Sequence, residues 1–173
     1  LYRFGNELDQ NQIRMGFLES LKVFSSYLGL FHTCCAVLAM VFGAMVVFNT
    51  KGTGMHRKMG YIYVGSMVLM NLSGFGIYNF GSFSLFHAFA LFSLITVLLG
   101  VIPAIKRSKD WYKKHFYFMS WSVVGLYCAF WSEVGVRFFD MQYFWWVVMV
   151  ATILTGAIGM LIIKKKAKSL FVN

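Results

Sequence analysis

The chain has 173 residues, 59% of them hydrophobic and 19% aromatic, with a single proline; soluble domains run at roughly 45–50% apolar. That composition sets ordinary soluble enzyme folds aside. The net charge of +10 does not imply nucleic-acid binding either, because the basic residues fall in loops between apolar blocks and not on one soluble face.

A helix needs about 20 predominantly apolar residues to cross the hydrocarbon core, and most of the chain after residue 25 divides into blocks of that size. The predicted fold is all-α, a polytopic transmembrane bundle of five spans with its amino terminus outside and its carboxyl terminus inside. Residues 1–20, with Arg3, Glu7, Asp9, Arg14 and Glu19, read as an extracytoplasmic segment that carries no chemistry. Leu1 opens the chain without a charged-then-apolar secretory pattern, and whether residues precede it stays open. Residues 21–163 read as one five-helix transmembrane domain and 164–173 as a basic cytoplasmic tail.

The first span is predicted over about 27–48 and includes His32. A glycine-bearing basic hinge follows, with Lys51, His56, Arg57 and Lys58. The second span, about 59–78, carries Gly60, Gly65, Gly74 and Gly76, where neighbouring helices are expected to approach closely. A tight turn at 79–83 makes the second and third spans antiparallel neighbours. The third span, about 84–105, has His87 near its start and Pro103 near its end. After a loop with Lys106, Arg107, Lys109, Lys113, Lys114 and His115 comes the fourth, about 116–138, which ends with Glu133 and Arg137. A short turn at 140–143 leads to the fifth span, about 144–163. Trp111, Tyr112, Tyr143, Trp145 and Trp146 sit at span ends, where amphipathic rings prefer the headgroup level. Cys34, Cys35 and Cys128, odd in number and set in apolar runs, read as small core residues and not as a disulfide framework.

Twelve of the 16 Lys and Arg residues fall in the hinge, the third-to-fourth loop and the tail. By the positive-inside rule these are cytoplasmic, where they would attract anionic headgroups.

Ionisable residues inside a span are costly and mark the bundle interior. His32, His87 and Glu133 come from three spans yet share one level near the outer boundary, and Arg137 follows Glu133 at the i, i+4 spacing of an ion pair. His56 and His115 share a level at the inner boundary. In an up-down-up-down bundle, spans one and three lie diagonally across the core, as do two and four. His32 with His87, and His56 with His115, would then be two diagonal pairs. Such pairs suit bis-imidazole haem b at two depths. Alternatively, His32, His87 and Glu133 form a two-histidine, one-carboxylate set for Zn²⁺ or Fe²⁺, in which Glu133 is a ligand or a general base oriented by Arg137. In the least demanding alternative these groups are a polar network in a non-catalytic subunit of a larger membrane complex. Quinone and other membrane subunits are the possible partners. No P-loop, nucleophile elbow, His-Glu-x-x-His run or dinucleotide fingerprint is present.

The run 55–64, Met-His-Arg-Lys-Met-Gly-Tyr-Ile-Tyr-Val, resembles the His-Arg-x-x-Gly-x-x-Tyr signature of a family of bacterial membrane proteins, the domain of unknown function 2306. His56, Arg57, Gly60 and Tyr63 carry the motif. His87, His115 with the following 118–122, and the Glu133–Arg137 pair also fit, over roughly 29–138. The resemblance implies a multi-pass protein of the bacterial inner membrane and supplies no substrate.

Overall fold

The computed structural model describes residues 27–78 and 85–171. The amino-terminal segment and the turn expected at 79–83 lie outside the described residues. Five helices follow one another: α1 (Tyr27–Phe48), α2 (Gly54–Gly74), α3 (Leu85–Lys106), α4 (Trp111–Gly135) and α5 (Phe144–Phe171), the last preceded by a 3-10 turn at Met141–Tyr143.

Helix ends depart from the apolar blocks wherever local hydrogen bonding outweighs hydropathy. α2 begins at Gly54, several residues before its apolar run, because the Thr53 side chain accepts a hydrogen bond from the His56 N–H and caps the first turn. Gly52, at φ +80°, makes the turn that reaches this cap. α4 also starts before its apolar run, at Trp111, though without a side-chain cap, so His115 lies within its first turns. α5 does not stop where its apolar run ends. Lys164, Lys165, Lys166 and Lys168 continue it to Phe171, since lysine is a good helix former and its charge complements the carboxyl-terminal end of the helix dipole.

α1 packs along α2 and α3 along α4; thinner contacts between α2 and α3 and between α1 and α4 close the ring. Across the diagonals, α1 and α3, and α2 and α4, no Cα atoms come within 8 Å. This is the up-down arrangement that short connections favour. α5 stands outside the ring against α4.

The core is drawn from all four ring helices, with Ala39, Tyr63, Met67, Val97, Met119 and Leu126 buried together. Tyr63 is the largest side chain with no exposure. Its ring fits because α1 presents Gly43, where a Cβ would stand 2.9 Å from the Tyr63 ring. Gly60 and Gly65, expected at close crossings, instead have open space around them, because they lie on the outer side of α2. Of the cysteines, Cys35 is buried in the core and Cys34 faces outward.

α1, α3 and α5 are long and apolar enough to cross a membrane. α2 and α4 fall short of that composition. They hold most of the ring's buried polar residues, including Tyr63, Asn71, Ser73, Ser122 and Ser132. Apolar side chains, among them Phe31 and Val37 on α1, Phe92 on α3 and Ile153 and Leu161 on α5, point outward. An outer surface of this kind suits lipid rather than water.

Candidate functional site

Chemistry-bearing residues gather at the two ends of the ring. At the end where α1, α3 and α5 begin, His32 reaches from α1 to α2. Its Nδ1 lies 3.0 Å from the Met70 carbonyl oxygen and 3.0 Å from the Ser73 hydroxyl, which itself donates to the same carbonyl. A carbonyl can only accept, so a hydrogen bond between the two takes its proton from Nδ1. His87 on α3 is buried, with its ring 5.0 Å from that of Tyr78. Asn71 donates to the Ser93 hydroxyl at 3.3 Å, tying α2 to α3.

Between these groups is a cavity of about 300 Å³ whose lining includes His32, Asn71, His87, Ser93, Ser122 and Glu133. The three ionisable groups expected at one level therefore do face one space. Among the described residues, however, no three His, Cys, Asp or Glu side chains stand close enough together to hold a metal ion. They share a cavity without forming a three-ligand set. Arg137, in the turn after α4, pairs with Glu133 at 2.7 Å, as their spacing predicts.

A larger groove of about 710 Å³ runs between α4 and α5, lined by Trp131, Tyr143, Trp146, Val150 and Leu154. Its walls are almost wholly apolar, so it fits acyl chains better than a reaction.

At the opposite end the inner pair meets across the diagonal. The rings of His56 on α2 and His115 on α4 are 6.4 Å apart, centre to centre, with planes at 82°. His115 Nδ1 lies 3.0 Å from the Gly100 carbonyl oxygen, which again places the proton on Nδ1 and the lone pair on Nε2. His56 Nδ1 is buried and makes no hydrogen bond to the protein.

Sequence reasoning passed over Lys51, treating it as a marker of topology. Its ammonium donates to the carbonyls of Val46 and Val47, at 2.6 and 2.9 Å, and so caps the end of α1. Burial, followed by the charge of Lys166, lowers its pKa to about 8. The available signal was positional: a lysine a few residues past an apolar run can turn back onto the last carbonyls.

Between the two ends lies a second feature without a sequence signal. The hydroxyls of Tyr63 and Ser122 meet at 2.8 Å across the same α2–α4 diagonal that the inner histidines span, and Tyr127 donates to the Met40 carbonyl at 3.1 Å. Uncharged polar residues in apolar helices do not announce which of them will meet.

No curated protein and no solved structure matches this chain. A family model does, over residues 29–164, which carries the likeness beyond the motif-bearing helices into α5. The match spans nearly the whole helical ring and most of α5, and with the apolar outer surface it makes this an integral membrane protein with multiple helices: the chain belongs to the predicted membrane protein family DUF2306.

Proposed function

We propose that this protein is a transmembrane electron carrier that binds haem b between diagonal histidines, His56 with His115 at the inner level and His32 with His87 at the outer. The observation that carries the reading is the inner pair. Two imidazoles bound through one nitrogen each to a metal between them, at about 2.0–2.1 Å, have ring centres roughly 6–6.5 Å apart. His56 and His115 stand at 6.4 Å, on helices whose backbones do not otherwise approach.

Supporting detail comes from the tautomers. His115 and His32 each give their Nδ1 proton to a backbone carbonyl, the arrangement that orients a ligating imidazole and raises the basicity of its Nε2. Haem b, when bound, supplies reversible one-electron chemistry at its iron. The chain's own part is to hold the two levels about 25 Å apart along α2 and to keep water from the space between them with Tyr63, Met67 and Met119. A purely structural polar network, which composition alone equally allows, makes no use of two histidine pairs set across diagonals.

This reading includes the membrane arrangement. All five helices cross the bilayer, because α1, α3 and α5 are apolar spans and α2 and α4, at about 31 and 37 Å, return the chain between them. The end bearing Lys51, Arg107 and the α5 lysines faces the cytoplasm of a bacterial inner membrane by the positive-inside rule. Electrons would pass between a quinol in the bilayer and an acceptor.

The test is a visible spectrum of detergent-purified protein, oxidised and then reduced with dithionite, with iron and haem measured on the same sample. A reduced-state haem band, diminished in His115→Ala and again in His87→Ala, supports the assignment. Protein that stays colourless after expression with ample haem overturns it.

A further inference from the structure

Four cation-capable side chains converge at the basic end of the bundle, from one loop and three helices. Lys51 is fixed there by the two carbonyls that it caps, which occupy two of its three N–H donors. Lys166 of α5 brings its ammonium to 5.9 Å from the centre of the Phe48 ring, at the end of α1, and its charge acts on Lys51. The rings of His56 and His115 complete the group, both within electrostatic reach of Lys51.

Among the described residues no carboxylate pairs with them. Among the described residues, Asp110 is the only acid at this end; it is exposed and joins no ion pair. The one ion pair among those residues, Glu133 with Arg137, is at the other end. Positive charge half withdrawn from water without a partner is unfavourable. Beside this charge is a buried donor or acceptor with no protein partner, His56 Nδ1.

We propose that this cluster is a binding site for one phosphate-type oxyanion, held by the free N–H of Lys51, by Lys166 and by a hydrogen bond from His56 Nδ1. Separate donors from different directions suit a tetrahedral group with several oxygens, and lysine serves as its point charge. The anion would neutralise the cluster and fix the proton of His56 on Nδ1, leaving Nε2 with its lone pair, the same form that His115 already adopts. Two sources carry this chemistry: the phosphate of an anionic lipid at the mouth of the bundle, and free inorganic phosphate. The site shares His56 with the proposed haem pair but needs no iron, so phosphate binding is tested on protein free of haem and its failure is separate from that of the haem reading.

The experiment measures the thermal unfolding midpoint of the whole protein under two conditions. In an uncharged detergent, inorganic phosphate is titrated at constant ionic strength. In nanodiscs, phosphatidylcholine alone is compared with phosphatidylcholine containing graded phosphatidylglycerol. Lys166→Gln is the test variant, because Lys166 caps no helix, and Lys109→Gln, an exposed lysine at the same end, is the control. The expected result is a saturable rise in midpoint whose apparent affinity falls about tenfold in Lys166→Gln and is unchanged in Lys109→Gln. Such a rise with inorganic phosphate identifies the free anion as a ligand, and one seen only with phosphatidylglycerol identifies the lipid headgroup. No saturable response under either condition, or an equal response in wild type and Lys166→Gln, overturns the proposal.

Discussion

The two ends of the bundle contain the same kind of residue in opposite electrostatic settings. At the outer end His32 and His87 face a cavity beside a carboxylate that has its own arginine, so the local charge is balanced. At the inner end His56 and His115 stand against Lys51 and Lys166, and among the described residues no acid pairs with them. One helical pattern therefore builds two different sites. A histidine pair acquires its character from the charges that the tertiary structure sets around it, not from its spacing.

The sharpest way to break the comparison is to remove one level at a time. If haem b binds at both levels as proposed, His115→Ala should abolish the inner haem signal while sparing the outer, and His87→Ala should do the reverse; full loss of haem from either variant would mean that the levels are not independent sites. Midway between them, Gly43→Ala drives a Cβ into the Tyr63 ring and is expected to cost about 1–3 kcal/mol, measured by unfolding in mixed detergent micelles. Gly65→Ala, made in open space on the outer side of α2, should be neutral or stabilising by up to about 1 kcal/mol. Equal costs for the two would show that the α1–α2 crossing is looser than the structure has it.

Smaller effects test the polar groups. Tyr63→Phe removes the hydrogen bond to Ser122 and should cost about 1 kcal/mol; the Ser122 hydroxyl still donates to the Met119 carbonyl, so no buried hydroxyl is stranded. Arg137→Gln opens an ion pair that is part exposed, and a loss of at most about 1 kcal/mol that shrinks with added salt is expected. A large, salt-independent loss would place that pair in a far drier setting.

The last prediction concerns pH. The folded-state pKa of Lys51 is about 8 against an ordinary 10.5. Between those values the unfolded chain holds a proton that the folded chain has released, so stability rises with pH across that window, and the penalty is fully present below about pH 8. The inner groups that face Lys51 are Lys166, His56 and His115, and neither histidine has an ordinary pKa in that window. Lys51→Gln should flatten this part of the stability curve. Saturating the cluster with phosphate should mute it in the wild type by holding the ammonium charged.

Much of this was legible in the residues, for reasons of chemistry. Apolar blocks pointed to five helices in this order, although only α1, α3 and α5 are long and apolar enough to cross a bilayer, and α1 lies over 27–48 as the pattern predicts. Ionisable residues in such blocks have to face inward, which brought His32, His87 and Glu133 to notice, and i, i+4 spacing was enough to pair Glu133 with Arg137. Hydropathy could not read the helix ends. It does not register the Thr53 cap that starts α2 early, nor the helix-forming lysines that carry α5 past its apolar run.

Composition and order thus determined a membrane-embedded helical ring with histidines at two depths, because burial of apolar surface and the cost of buried charge act on each residue largely alone. What only the tertiary structure decided depends on partners far apart in the chain. The outer residues share a cavity but no three-ligand set, Tyr63 meets Ser122 against Gly43, and Lys51, read from the sequence as a topological marker, joins Lys166 beside the inner histidines. Each of these is a relation between helices, and hydrogen-bond geometry and electrostatics settle it only once the helices are packed.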